Sequence, residues 1–332
     1  MSFTRELEGL KTIARFGGRV ACLEGENGLR ILQMLPAEEG GIFVFDDESV
    51  PALEHAVSAL EKEPSLQGVV VVGTEKGFIA GADVHSIASI TDKEEATELS
   101  KRGQALFARL SGLPCTTVAA IHGPCLGGGF ELALSLDYRI ATRDGSTKVG
   151  LPEVMLGILP GFGGTQRLPR LIGLPQALEL MLKGTRLDSR RAKRRGLVDR
   201  VVPIENLMRR ASELALSGKK PSRRLRRKDR FLTHTGVGRG IVAFSVGKTL
   251  SRGPARFMSA PSRILSASLA GLRQPDGDYE TEARFLGELA VGSTCKNLIR
   301  LFLATEAARK LHRELDPDCE PIRSAVVVGG GT

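Results

Sequence analysis

Residues 116–135 read TTVAAIHGPCLGGGFELALS. The apolar, β-branched run at 116–121 predicts a buried strand, the glycines at 127–129 a tight turn, and the stretch to about 135 a helix. A strand that turns through glycine into a helix leaves unpaired N–H groups at the helix N-terminus, where the helix dipole adds positive potential. Such donors suit an anion or a developing oxyanion. Glu131 falls just inside this helix.

Working outward, 68–73 holds four successive valines and predicts a strand buried on both faces. Residues 19–23 and 29–35 flank a turn-like 24–28 and predict a hairpin. Helical periodicity marks 51–62, and Thr91 with Glu94 has capping-box spacing ahead of another helix. This β–α alternation predicts parallel strands joined by crossovers. Beyond about residue 160 the pattern turns helical, at 165–172, 176–182, 189–195 and 206–216. A linker follows through the basic stretch and 236–240, and then mainly helical pieces, the clearest at 281–311.

Two more glycine-rich segments carry acids: FIAGADV (78–84) and GLPEVMLGILPGFGGTQRLPR (150–170), with Glu153 after a proline. Glu131 and Glu153 near one oxyanion site could divide acid and base work, and close approach would raise at least one of their pKa values. Spacing alone leaves open that both are ordinary first-turn or loop acids.

Composition narrows the classes. The 332 residues, 42% hydrophobic and 26% charged, suffice for one large domain or two smaller ones with a sizeable core. Apolar runs fall far short of the ~18 residues of a membrane span. With no Trp and two Tyr, a stacking platform for single-stranded nucleic acid is poorly supplied. Five scattered cysteines without a CxxC pair support neither a disulfide framework nor a zinc site. The start, MSFTRELEGLKTIARFGG, has no apolar signal core, so a reducing, cytoplasmic compartment is expected. Gly247-Lys248-Thr249 lacks the first glycine of a P-loop, and no GxSxG occurs. Net charge is +9, yet residues 183–230 hold 18 Lys and Arg against five acids, and the rest of the chain is net acidic. That run reads either as a solvated linker or helix face or as an anion site.

Several motifs in order, AGADV, LGGGFELAL, DYRIAT, GLPEVMLGILPGFGGTQRLPRLIG, ALELMLKG and AKRRGLVDRVV, resemble the crotonase superfamily, specifically enoyl-CoA hydratase. The remainder resembles the large bifunctional subunit of the fatty-acid β-oxidation complex. ARFLGELAVGSTCKNLIRLFLATEAARK is similar to its helical linker, and IRSAVVVGGGT to the first strand of its 3-hydroxyacyl-CoA dehydrogenase. The resemblance implies an α/β fold with a crotonase (ClpP/crotonase-like) ββα spiral core over 15–210. A helical linker region would follow over 211–320, and a truncated first strand of a Rossmann NAD-binding domain over 321–332. Without its third glycine and helix that strand cannot bind a dinucleotide.

By position in the family motifs, Glu131 and Glu153 match the catalytic glutamates, and the backbone amides of Ala82 and Gly128 match the oxyanion hole. The implied reaction adds water to trans-2-enoyl-CoA, with 3-enoyl to 2-enoyl isomerisation as a side activity. It needs no metal and no cofactor beyond the CoA thioester substrate; NAD would serve only the missing dehydrogenase domain. His122 is expected to be structural, and 36–50 departs from the family's early motif. The implied partners are acyl-CoA, another copy of the chain, or a thiolase subunit as in the β-oxidation complex. Two alternatives stay open: an RNA-binding crotonase homologue, though nucleic acid is poorly supported, and a fragment inactive without its dehydrogenase half. Truncation would expose apolar helix faces near 285–303.

Overall fold

Val69, Val70, Val71 and Val72 have no exposed surface, so their strand needs cover on both sides. In the computed structural model it lies at the centre of a seven-stranded sheet. Residues 3–219, 225–252 and 254–314 are described here. The expected strand at 325–328, its glycines, Cys319 and residues 220–224 of the basic run lie outside them.

In chain order the first part comprises α1 (Phe3–Glu8), β1 (Thr12–Phe16), β2 (Val20–Glu24), β3 (Leu29–Met34), α2 (Ser49–Glu61) and β4 (Gly68–Val72). Next come α3 (Val84–Ser89), α4 (Lys93–Gly112), β5 (Thr116–Ile121), β6 (Pro124–Leu126), α5 (Gly128–Ser135), β7 (Tyr138–Thr142) and β8 (Lys148–Gly150). Then follow α6 (Gly164–Ile172), α7 (Leu174–Lys183), β9 (Leu187–Asp188), α8 (Ser189–Arg195), β10 (Arg200–Val202) and α9 (Leu207–Ala215). The last helices are α10 (Arg227–His234), α11 (Gly236–Leu250), α12 (Ser259–Gly271), α13 (Tyr279–Ala290) and α14 (Ser293–Glu314).

The large sheet runs β1-β2-β3-β4-β5-β7-β10. β2 and β3 form the antiparallel hairpin read from the sequence, and from β3 onward every pairing is parallel. Side chains alternate along each strand, so the two faces of β4 enter different cores. Val70 and Val72 pack with α1 and α9; Val69 and Val71 join the larger cluster that includes α2, α4 and α5. A small second sheet, β6-β8-β9, stands beside the glycine turn.

Three local readings are corrected. The cap of α4 is Asp92, whose carboxylate accepts from Glu94 N at 2.7 Å, rather than Thr91. Residues 236–240 are the first turns of α11, not a linker. Thr235 caps that helix, and Gly238 lets it sit against the Phe231 carbonyl, where a β-carbon would clash. The expected helix at 281–311 is two helices, because the chain turns at Val291 and Gly292.

α5 is seated on the chain at Ile79 by Gly129, where a β-carbon would press into the Ile79 carbonyl. Gly129→Ala should therefore destabilise the protein by about 1–3 kcal/mol, read as a lower thermal midpoint despite alanine's higher helix propensity.

Candidate active site

β5 delivers the chain through β6 to Gly127, whose φ of 53° is left-handed. This turn starts α5 and places Glu131 in its first turn, 2% exposed. Glu131 Oε1 accepts from Phe162 N at 2.8 Å and from Gly164 N at 2.7 Å. Glu153 comes from the loop after β8, and a β-carbon on Gly127 would lie 3.3 Å from its Oε1. Both Glu153 oxygens are shielded from solvent and lack hydrogen-bond partners among the described residues. One carboxylate is thus anchored and the other is free.

Ala82 lies on the segment beside this turn, where a β-carbon on Gly127 would lie 3.5 Å from Gly81 Cα. Phe45 N donates to Gly81 O at 2.9 Å and Asp83 N to Phe45 O at 2.8 Å, a parallel bridge centred on Ala82. Its flanking groups make these bonds, so the Ala82 amide points away from Phe45. The Gly128 amide heads α5, where helical geometry supplies no carbonyl. Among the described residues no backbone carbonyl accepts from either amide. Ala82, Gly128, Glu131 and Glu153 all line one cavity of about 780 Å³. Its other walls are largely apolar and include Val84, Ile87, Leu156 and Phe162.

The helical extension forms part of the wall of this cavity. Leu286, Ala290, Leu298 and Phe302 of α13 and α14 line it, so the apolar faces expected to be exposed near 285–303 are largely turned inward; Leu301 remains exposed. Lys296 of α14 donates to the carbonyls of Ile87, Ala88 and Ile90, tying down the end of α3. Glu282 of α13 is fully buried and accepts from Gly163 N and Thr165 N, beside the amides that hold Glu131.

Sequence reading missed Glu282 and Lys296. Glu282 shares a helical stripe with Phe285 and Leu289, at spacings of three and seven, and an acid on an apolar stripe was the available signal. His122 is buried against Thr142, 3.0 Å from Nδ1 to Oγ1, and does not line the cavity. Among the described residues of the basic run, Arg186 reaches the cavity lining. Arg190, Lys193 and Arg194 surround a separate shallow hollow with Arg143. Among the described residues no three His, Cys, Asp or Glu side chains cluster as metal ligands, and no helix is long and apolar enough to cross a membrane.

Burial dominates the electrostatics. It holds the Glu131 carboxyl well above the usual carboxylate range, with the charges of Glu153 and Glu282 adding to the effect and the two amides opposing it. Burial likewise pushes Glu153 up to about 8, aided by Glu282. A resting site of this kind retains protons at neutral pH.

The pattern described as Enoyl-CoA hydratase/isomerase matches residues 44–228. A fatty acid oxidation complex subunit alpha from Shewanella loihica is 36% identical over 311 residues, covering 92% of this chain and 44% of that relative. The chain thus spans less than half the length of the curated relatives it matches. An enoyl-CoA hydratase structure from Bacillus anthracis is 26% identical with a TM-score of 0.55, covering 89% of this chain and 96% of that one. An enoyl-CoA hydratase from Mycobacterium avium subsp. paratuberculosis K-10 reaches a TM-score of 0.59 at 17% identity, a likeness of fold alone, covering 86% and 96% respectively.

Glu153 should oppose folding as pH rises. Below about 4.5 the carboxyl is protonated in both folded and unfolded chains; between there and about 8 the folded chain keeps a proton that the unfolded chain has lost. Stability therefore falls across that window. Glu153→Gln should raise the thermal midpoint more at pH 8.5 than at pH 5, measured by calorimetry at both.

Proposed function

This chain belongs to the enoyl-CoA hydratase/isomerase family, and from that premise we propose that it adds water to trans-2-enoyl-CoA, giving 3-hydroxyacyl-CoA, as a step of fatty-acid β-oxidation. The observation that carries the reading is the convergence of two glutamates with solvent-shielded carboxylates, and of two amides unpaired among the described residues, on one largely apolar cavity.

The thioester oxygen occupies the hole made by the Ala82 and Gly128 amides. The acyl chain lies along the apolar walls, and a water sits between Glu131 and Glu153. Glu153 takes a proton from that water as its oxygen bonds to C3. The C2=C3 electron pair moves toward the carbonyl, and the negative charge accumulates on the thioester oxygen. Preorganised donors act there because the charge develops there; losing one such donor typically costs about 10²–10³ in rate. C2 then takes a proton from Glu131. With Oε1 held by two amides, that proton is carried on Oε2. The step needs one proton to give, which burial holds on Glu131, and one carboxylate to receive at Glu153, which must first lose the proton that burial favours there.

The same two groups support 3-enoyl to 2-enoyl isomerisation, with a proton removed at C2 and returned at C4. Arg102, Arg186 and Arg309 line the cavity beside its acids, which suits the phosphate-bearing end of CoA. No cofactor enters this chemistry; an NAD-dependent step would belong to a dehydrogenase domain. Four free, buried cysteines among the described residues suit a cytoplasmic setting. By analogy with the fatty acid oxidation complex named for the relatives, a thiolase subunit or a second copy is the expected protein partner.

Loss of the enoyl-thioester absorbance with crotonyl-CoA and a longer enoyl-CoA tests the reading. Glu131→Gln and Glu153→Gln should each lower kcat by about 10²–10⁴ while remaining folded. A folded wild type that hydrates neither substrate would refute it.

A further inference from the structure

Glu282 lies beyond the family-matching segment, which ends at residue 228, and it has no exposed surface. Burying a carboxylate is costly unless its lone pairs are filled. Here they are. Oε1 accepts from Gly163 N at 2.6 Å and Gln104 Nε2 at 3.0 Å, and Oε2 accepts from Thr165 N at 3.0 Å and from the Thr165 hydroxyl.

The order of the donors matters. Amides 162 and 164 serve Glu131, whereas amides 163 and 165 serve Glu282. Four consecutive N–H groups thus alternate between two carboxylates, one on α5 and one on α13. Gly163 makes the alternation possible through its left-handed φ of 104°, at a place where a β-carbon would strike Arg167 and Tyr279. The loop cannot swing off Glu131 without tearing its bonds to Glu282.

α13 is itself fixed against the core. Gly287 lets it approach the Lys93 carbonyl and Thr97 hydroxyl of α4. Gln104, also on α4, donates to Gly161 O and Tyr279 O, each at 3.1 Å, as well as to Glu282. The clamp therefore joins α4, α13 and the 161–165 loop.

We propose that Glu282 is a positioning residue for the hydratase site, acting through the 162–165 amides to hold Glu131 Oε1 so that Oε2 is the oxygen that exchanges a proton. The inference rests on the hydratase reading and adds to it that the helical extension completes the catalytic apparatus of the same chain. Glu282 does not line the cavity, so its influence passes through Glu131 and not through contact with substrate.

Glu282→Gln in the full chain tests this. The substitution preserves shape but turns an acceptor oxygen into a donor facing another donor. With crotonyl-CoA, kcat should fall about 10–100-fold, the scale of a small misplacement at a reacting centre, with KM changed by less than about threefold. Glu282→Gln added to Glu131→Gln should cost nothing further, because both act through one group. Amide exchange should quicken in peptides spanning 160–168 while β4 and β5 exchange as in wild type.

A kcat within about twofold of wild type would overturn the proposal. So would a full further loss in the double variant, which a merely structural role would produce. Should Glu282→Gln lose protection throughout, Thr165→Val removes one donor to the same carboxylate. It should show the same pattern at smaller amplitude, and unchanged kcat and exchange would overturn the clamp. A wild type without hydratase activity would refute the assigned reaction, and unchanged exchange at 160–168 in Glu282→Gln would then separately refute the clamp.

Discussion

Four successive amides, 162 to 165, divided between Glu131 and Glu282, are the interaction on which the rest of the site depends. Each carboxylate lies in the interior, where charge without hydrogen bonds would be untenable. The loop supplies those bonds at the start of α6, where N–H groups lack helical partners in any case. Two difficulties, buried acids and an uncapped helix, therefore resolve one another. The arrangement also ties β5-α5, which carries Glu131, to α13 of the extension.

Glu153 is the counterpoint. Its oxygens have no partner among the described residues, and its carboxyl is raised to about 8. A carboxyl left unsatisfied on a cavity wall opposes stability, and groups of this kind cluster at functional sites. The contrast between an anchored and a free carboxylate supports the two roles proposed for the pair, an oriented proton donor and a base. The two amides beside them, at Ala82 and Gly128, come from segments far apart in the chain. The parallel bridge at Phe45 and the glycine turn after β6 bring these segments to one wall.

The sequence alone determined the frame: a strand of four valines, a strand running into three glycines, a helix carrying Glu131, and a second acid after Pro152 in the next glycine-rich loop. These features are local, since periodicity, turn chemistry and motif order act over a few residues. The motifs also placed Glu131, Glu153, Ala82 and Gly128 together through family resemblance, and the structure brings all four to one cavity. The misreadings were local as well. Gly236, Gly238 and Gly240 signalled a linker, yet close packing of α11 on the end of α10 overrode weak helix propensity. The 281–311 pattern hid a turn because both helices present apolar faces to the same cavity.

Only the tertiary structure decided what the extension does. In sequence, Glu282 is one more acid in the first turn of a helix, and Lys296 one more surface-type cation. Their partners lie more than a hundred residues away in the chain, as in the bonds from Gly163 to Glu282 and from Lys296 to Ala88. No local pattern encodes that separation; it arises when α13 packs on α4 and α14 closes over α3. Burial then sets the pKa values, because desolvation and like-charge repulsion depend on which side chains share an interior and not on their order in the chain.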